Sequence, residues 1–284
     1  MSGFSPDWLD LREGADHRAR DAALEARLAD YLAGRETITV VDLGCGLGSN
    51  LRGLSRVLPG RQSWRLVDHD PTLLAGARER LAAWADAARD DGGGGLRLEK
   101  DGRQITVSFA QADLAGDLDG ALACSAGGAP DLVTAAALFD LCGASFLTRF
   151  AQAVAARRAA FHTVLTYDGR ETWEPAHPLD AAFRDAFVAH QGEDKGFGPS
   201  LGPAATAHLA RAFADAGYAA HQGESPWRLE APRDAALIRA LAEGQAQAVA
   251  ETGRLAPDAV ASWRAARIEA PRATIGHADL LCLP

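Results

Sequence analysis

The sequence predicts an α/β chain built on an open, doubly wound sheet. Three observations predict it. An apolar, β-branched run over residues 38–41 ends in Asp42 and opens into glycines at 44, 46 and 48, with a helical apolar pattern (Leu51, Leu54, Val57, Leu58) behind them. A second run over 64–67 ends in another acid, Asp68, and a helix opens two residues later. Strand and helix patterns then keep alternating to the end of the chain, the signature of βαβ units in which ligands bind beyond the carboxyl ends of the strands.

Composition sets the bounds. The 284 residues are 48% hydrophobic, ample for a buried core, and fit one enlarged domain or two small ones. A net charge of −9 argues against nonspecific nucleic-acid binding, which needs a basic surface. The four cysteines (Cys45, Cys124, Cys142, Cys282) show no paired spacing, so free thiols in a reducing cytoplasm are expected. The eight histidines show no metal spacing, and no metal is expected. No 18-residue apolar run suggests a membrane span, and residues 1–4 lack the cationic and apolar regions of an export signal.

Each element follows from its own pattern. Residues 5–33 are helical, with Trp8, Leu9, Leu11, Leu24, Leu28, Tyr31 and Leu32 as apolar positions and Gly34 as the stop. Residues 38–43 form the first strand. Its loop needs glycine because the turn visits positive φ and a side chain would keep the backbone from a ligand. After the second strand, Asp70 caps a helix over 72–88 with Pro71 at its first position. Asp91 and the glycines 92–95 form a flexible loop. Residues 96–99 and 104–109 read as a hairpin turned by Asp101-Gly102, so the third strand extends beyond the usual core. A fourth strand begins at 131, a helix spans 146–158, and a fifth strand covers 161–167. Residues 180–190 are an amphipathic helix. The glycines and prolines of 191–203 forbid regular structure and suggest a lid over the ligand. Helix 204–216, strand 218–228, helices 234–252 and 257–267 and a last strand 274–283 complete the chain.

The glycine spacing narrows the ligand. A dinucleotide fingerprint would place its third glycine at 49, where Ser49 stands. The pattern Asp42-x-Gly44-x-Gly46-x-Gly48 resembles motif I of the class I S-adenosylmethionine-dependent methyltransferases. Asp68, at the tip of strand two, stands where a carboxylate can accept both hydroxyls of a ribose. Asp113 follows strand three, and 131–141 matches the family's fourth strand and its loop, with small residues at 135–137. The resemblance covers roughly residues 37–167. It implies a seven-stranded Rossmann-like sheet with an antiparallel last strand, in one domain: an N-terminal helical cap (1–36), a cofactor-binding core (37–167), a substrate-lid insertion (168–203), and a C-terminal half (204–284) with a helical insertion at 232–268.

The same resemblance implies the site. Cofactor binding falls to Asp42, Gly44, Cys45, Gly46, Gly48 and Asn50 of the loop, to Asp68 and His69, and to Asp113 and the Leu114 N–H at the adenine. Ala136 lies along the methionine part, and a cap cation meets the cofactor carboxylate (Arg18, or Arg12, His17 or Arg20). Acceptor-side candidates are Asp140 and Tyr167 as catalytic groups, with Asp168, Arg170, Trp173, His177, Lys195 and Phe197 as walls. The expected activity is methyl transfer from S-adenosylmethionine to a small molecule, leaving S-adenosylhomocysteine. The Asn/Asp-Pro-Pro-Tyr/Phe motif of amino-methylating nucleic-acid enzymes and the Pro-Cys nucleophile of cytosine C5 enzymes are both absent after strand four. A nicotinamide-dependent oxidoreductase and a non-catalytic S-adenosylmethionine-binding protein are the alternatives.

Overall fold

The computed structural model describes residues 5–124 and 127–284; residues 1–4 of the expected cap lie outside the described residues. The strands are β1 (Ile38–Leu43), β2 (Arg61–Asp68), β3 (Ala87–Asp90), β4 (Leu96–Lys100), β5 (Arg103–Gln111), β6 (Leu132–Ala136), β7 (Ala160–Glu174), β8 (Ala219–Glu224), β9 (Trp227–Glu230) and β10 (Arg272–Leu283). The helices are α1 (Pro6–Ala19), α2 (Ala22–Leu32), α3 (Ser49–Leu54), α4 (Pro71–Trp84), α5 (Leu118–Ala121), α6 (Ala144–Ala156), α7 (Asp180–Gln191), α8 (Ala205–Asp215), α9 (Ala235–Thr252) and α10 (Pro257–Arg267).

All strands join one sheet in the order β3-β4-β5-β2-β1-β6-β7-β10-β8, with β9 paired to β10. From β5 to β7 the neighbours are parallel, and β10 enters antiparallel between β7 and β8. Without the additions β3, β4 and β9, this is the seven-stranded Rossmann-like order with its last strand reversed. The central strands are apolar on both faces because helices cover both. Val40, Trp64 and Leu66 pack under α2, α3 and α4. Val41, Val133 and Phe161, one step out of phase, pack under α6 and α8. A third core gathers α1, α7, α9 and α10 against the far ends of β7, β9 and β10.

Four boundaries differ from the sequence pattern. The first helical segment breaks at Arg20, because the Asp21 carboxylate caps α2 through the Ala23 and Leu24 N–H groups (both 2.9 Å). The helix expected to reach 88 stops at Trp84. Beyond it the Asp86 N–H donates to the Glu99 carbonyl, and 87–90 pair with β4. The strand expected over 218–228 is divided into β8 and β9, with Ser225-Pro226 between them. The fifth strand continues to Glu174, since residues 171–174 pair with 272–275 of β10. The first seven residues of the expected 168–203 insertion therefore belong to the sheet.

Among the described residues, no helix is long and apolar enough to cross a membrane. Nor does any group of three or more His, Cys, Asp or Glu side chains stand together as a metal site.

Candidate functional site

A cleft of about 530 Å³ opens beyond the carboxyl ends of β1, β2, β5 and β6, within the range of about 300–1,000 Å³ usual for ligand pockets. One side is the loop after β1. Gly44, Gly46 and Gly48 all take positive φ (59°, 52° and 77°), which explains three glycines at alternate positions. The Cys45 N–H donates to the Val67 carbonyl (3.0 Å), and the Gly46 N–H donates to Asp68 Oδ2 (2.9 Å). Asp68 Oδ1 accepts from the Asp70 N–H (3.0 Å). The carboxylate is 5% exposed and is held from both sides by backbone, with His69 Nδ1 3.3 Å from Oδ1, and Oδ2 retains a lone pair for a further donor. Asp113 binds the Ala115 N–H through Oδ1 (3.0 Å), and Leu114 beside it is buried.

The floor of the cleft is polar and tightly packed. Asn50 donates from Nδ2 to Asp42 Oδ1 (2.7 Å) and Thr134 Oγ1 (3.1 Å), and accepts at Oδ1 from Arg20 Nη1 (3.0 Å). Arg20 Nε donates to Glu25 (2.5 Å). Among the described residues, Arg20 Nη2 and Asp42 Oδ2 are buried without a hydrogen-bond partner. Burial pushes the Asp42 carboxyl up to about 7. His17 Nε2 lies 3.0 Å from the Ser49 carbonyl and 3.1 Å from its hydroxyl.

The cap is fixed over this floor by one buried acid. Asp279 of β10 accepts from the Asp21 N–H (2.9 Å) at the break between α1 and α2, and from the Leu165 N–H (2.8 Å) of β7. The other side of the cleft is lined by Leu9, Ala137, Leu138, Leu141, Leu165 and Phe197, with Arg12, Asp16 and Lys195 as its charges. The loop carrying Lys195 and Phe197 is docked. The Ser200 hydroxyl donates to the Leu141 carbonyl (2.8 Å), the Leu201 N–H donates to the Cys142 carbonyl (3.0 Å), and Phe197 packs on Phe146 (4.6 Å between centroids). Gly143 lies beneath it, where an added Cβ would stand 2.5 Å from the Phe197 carbonyl oxygen.

The cleft brings together Arg12, His17, Arg20, Gly44, Cys45, Gly46, Asn50, Asp68, His69, Asp113, Leu114, Ala136, Lys195 and Phe197 from the sequence candidates. Asp42 and Gly48 stand behind its wall. The acceptor-side candidates from the fifth strand do not line it. Asp140 is 7% exposed with Oδ1 unpartnered among the described residues, and burial raises its carboxyl to about 6. Tyr167 is buried against Phe187 and His277, and burial pushes its phenol up. Trp173 packs edge-on against Trp263 in the third core (5.5 Å), because β7 carries it past the cleft. Asp168 and Arg170 pair with each other and reach Glu224 at the β7–β8 end of the sheet. His177 receives the Leu179 N–H in the turn before α7 (3.2 Å). Arg18 turns outward to Asp234 (2.7 Å). Leu9, Asp16 and Leu165 are cleft residues that sequence reasoning missed. For Asp16 alone a signal existed, the i,i+4 spacing from Arg12.

No family model and no curated protein sequence matches this chain. Solved structures resemble it distantly. A cyclopropane-fatty-acyl-phospholipid synthase-like protein from Lactobacillus casei is 17% identical over 98% of this chain and 94% of its own (TM-score 0.46). A SAM-dependent methyltransferase from Geobacter sulfurreducens, in complex with S-adenosyl-L-homocysteine, is 14% identical over 99% and 98% (0.47). Magnesium protoporphyrin IX methyltransferase from Synechocystis, with bound SAM, is 13% identical over 79% and 80% (0.42). Likenesses this distant carry no argument about function, so the cleft itself must carry it.

Proposed function

We propose that the chain transfers a methyl group from S-adenosylmethionine to a small-molecule acceptor in the cytoplasm. The observation that carries this reading is the Gly46–Asp68 contact. The glycine loop and the acid of strand two close on each other at 2.9 Å and leave the carboxylate's remaining lone pairs for a ribose diol. In this reading the Asp113 carboxylate takes the adenine amine and the Leu114 N–H a ring nitrogen. Arg20, which lines the cleft, takes the cofactor's carboxylate in place of the outward-turned Arg18, while Asp42, behind the wall, holds Asn50 in place. Ser49, where a dinucleotide loop would have its third glycine, disfavours a dinucleotide.

The sulfonium, when bound, supplies an activated methyl carbon and its own leaving group. The protein's part is alignment and exclusion of water. The small residues Ala136 and Ala137 let a ligand lie against backbone, and the docked loop with Lys195 and Phe197 covers the acceptor side. Neither Asp140 nor Tyr167 reaches the cleft wall, so direct proton removal by either is not part of this reading. The size and enclosure of the cleft, with the net charge of −9, favour a small acceptor over nucleic acid.

Methyl-labelled S-adenosylmethionine incubated with the protein and a fractionated cell extract tests the proposal. Label should enter the small-molecule fraction with formation of S-adenosylhomocysteine. Label confined to RNA or protein would contradict the acceptor class, and no transfer with firm cofactor binding would favour a non-catalytic binding protein.

A further inference from the structure

Arg12 differs from the buried structural arginines of this fold in what its donors do. Arg267 uses Nε and Nη2 on Asp180 and Nη1 on the Pro175 carbonyl. Arg52 uses Nε and Nη2 on Glu13 and Nη1 on the Leu47 carbonyl. Arg12, 8% exposed and lining the cleft, uses only Nε, on Asp16 Oδ2 (2.9 Å). Among the described residues its two Nη nitrogens have no hydrogen-bond partner. The group is nonetheless held rigidly. Asp16 Oδ1 accepts from Trp227 Nε1 (2.9 Å), and the guanidinium lies over the Trp227 ring at 5.0 Å. Its Nη donors are open to the cleft rather than sealed in the core, and a guanidinium fork of this kind binds a planar oxyanion bidentately.

Its position separates it from the cofactor. Arg12 is held on Asp16 and over the Trp227 ring, whereas Arg20 reaches Asn50 beside the glycine loop. The cleft's lining away from the glycine loop includes the apolar Leu138, Leu141, Leu165 and Phe197, and a further cation, Lys195, on the docked loop. The Lys195 ammonium stands 3.7 Å from Glu193, too far for a hydrogen bond.

We propose that the acceptor is a small organic acid, with a mainly apolar body in this part of the cleft and its carboxylate on the Arg12 fork. Lys195 adds attraction at the mouth. The proposal rests on the methyltransferase reading, which assigns the other end of the cleft to the cofactor.

Calorimetry on the protein saturated with S-adenosylhomocysteine tests it, with phenylacetate and octanoate, their amides, and phenyl phosphate as probes. At least one acid should bind tenfold or more tightly than its amide and more tightly than phenyl phosphate. Arg12→Gln should abolish that preference, and Lys195→Gln should reduce it severalfold. S-adenosylhomocysteine affinity should stay within twofold in both variants. Should Arg12→Gln fail to fold, Arg12→Lys retains the charge without the fork and should lose most of the preference. Acids no tighter than amides, phenyl phosphate tighter than either acid, a preference that survives loss of Arg12, or acids that compete with S-adenosylhomocysteine would each overturn the proposal. Failure of S-adenosylhomocysteine itself to bind is seen before any acid is added, and defeats the cofactor reading instead.

Discussion

The two sides of the cleft are built in different ways. The side made by the β1 and β2 tips is assembled from residues close in sequence, 42–50 and 68–70, with backbone N–H groups on a fixed carboxylate. The opposite side gathers α1, the turn after β6, Leu165 and a loop at 193–201, and its contacts span the chain. A site that must hold one nucleoside can be written into a short local motif. A site for a variable acceptor is placed by tertiary contacts, and its chemistry depends on what the fold brings beside it.

This difference governs what was legible in the sequence. The glycine spacing, Asp68 and the strand alternation were readable because each follows from local backbone needs; the seven-stranded order was implied by the family resemblance. Trp173 was not, because nothing in 168–174 reveals that residues 272–275, a hundred positions later, will continue the strand and carry its side chain past the cleft. Arg18 and Arg20 lie two residues apart in the same cap. At the end of α1 they point to opposite sides, as residues two apart in a helix do, and the sequence alone does not show which side faces the cleft: Arg20 reaches Asn50 and Arg18 reaches Asp234.

The largest effect should come from Asp68→Ala, on the local side. Losing two hydroxyl donors to a charged acceptor removes about 1.5–3 kcal/mol each, which predicts roughly a hundredfold or greater loss of S-adenosylhomocysteine affinity. Asp68→Asn retains the shape and one acceptor oxygen and should lose less. Unchanged affinity in a folded Asp68→Ala would refute the ribose assignment.

Gly143→Ala probes the opposite side. Its Cβ would meet the backbone of the docked loop, so it should displace Phe197 and cost about 1–3 kcal/mol of stability. Acceptor KM should rise while S-adenosylhomocysteine affinity, measured in the same preparation, stays near wild type. Equal losses on both sides would mean that the two halves are one mechanical unit.

A smaller effect concerns pH. The Asp42 carboxyl titrates near 3.8 when unfolded and near 7 when buried. Between these values the folded protein retains a proton that the unfolded chain has lost, so this group's contribution to stability falls as pH rises through the window. Asp42→Asn removes that slope and retains the acceptor for Asn50. Urea unfolding at about pH 5 and about pH 8 should show the variant gaining on wild type at the higher pH. An identical pH dependence in both would mean that Asp42 ionises normally in the fold.

The central claim is that the glycine loop and Asp68 hold an adenosyl cofactor rather than a dinucleotide. Calorimetric titration of the protein with S-adenosylhomocysteine, and separately with NAD, tests it most directly. Micromolar binding of S-adenosylhomocysteine with no heat from NAD is the predicted result. Tight binding of NAD with none of S-adenosylhomocysteine would contradict it.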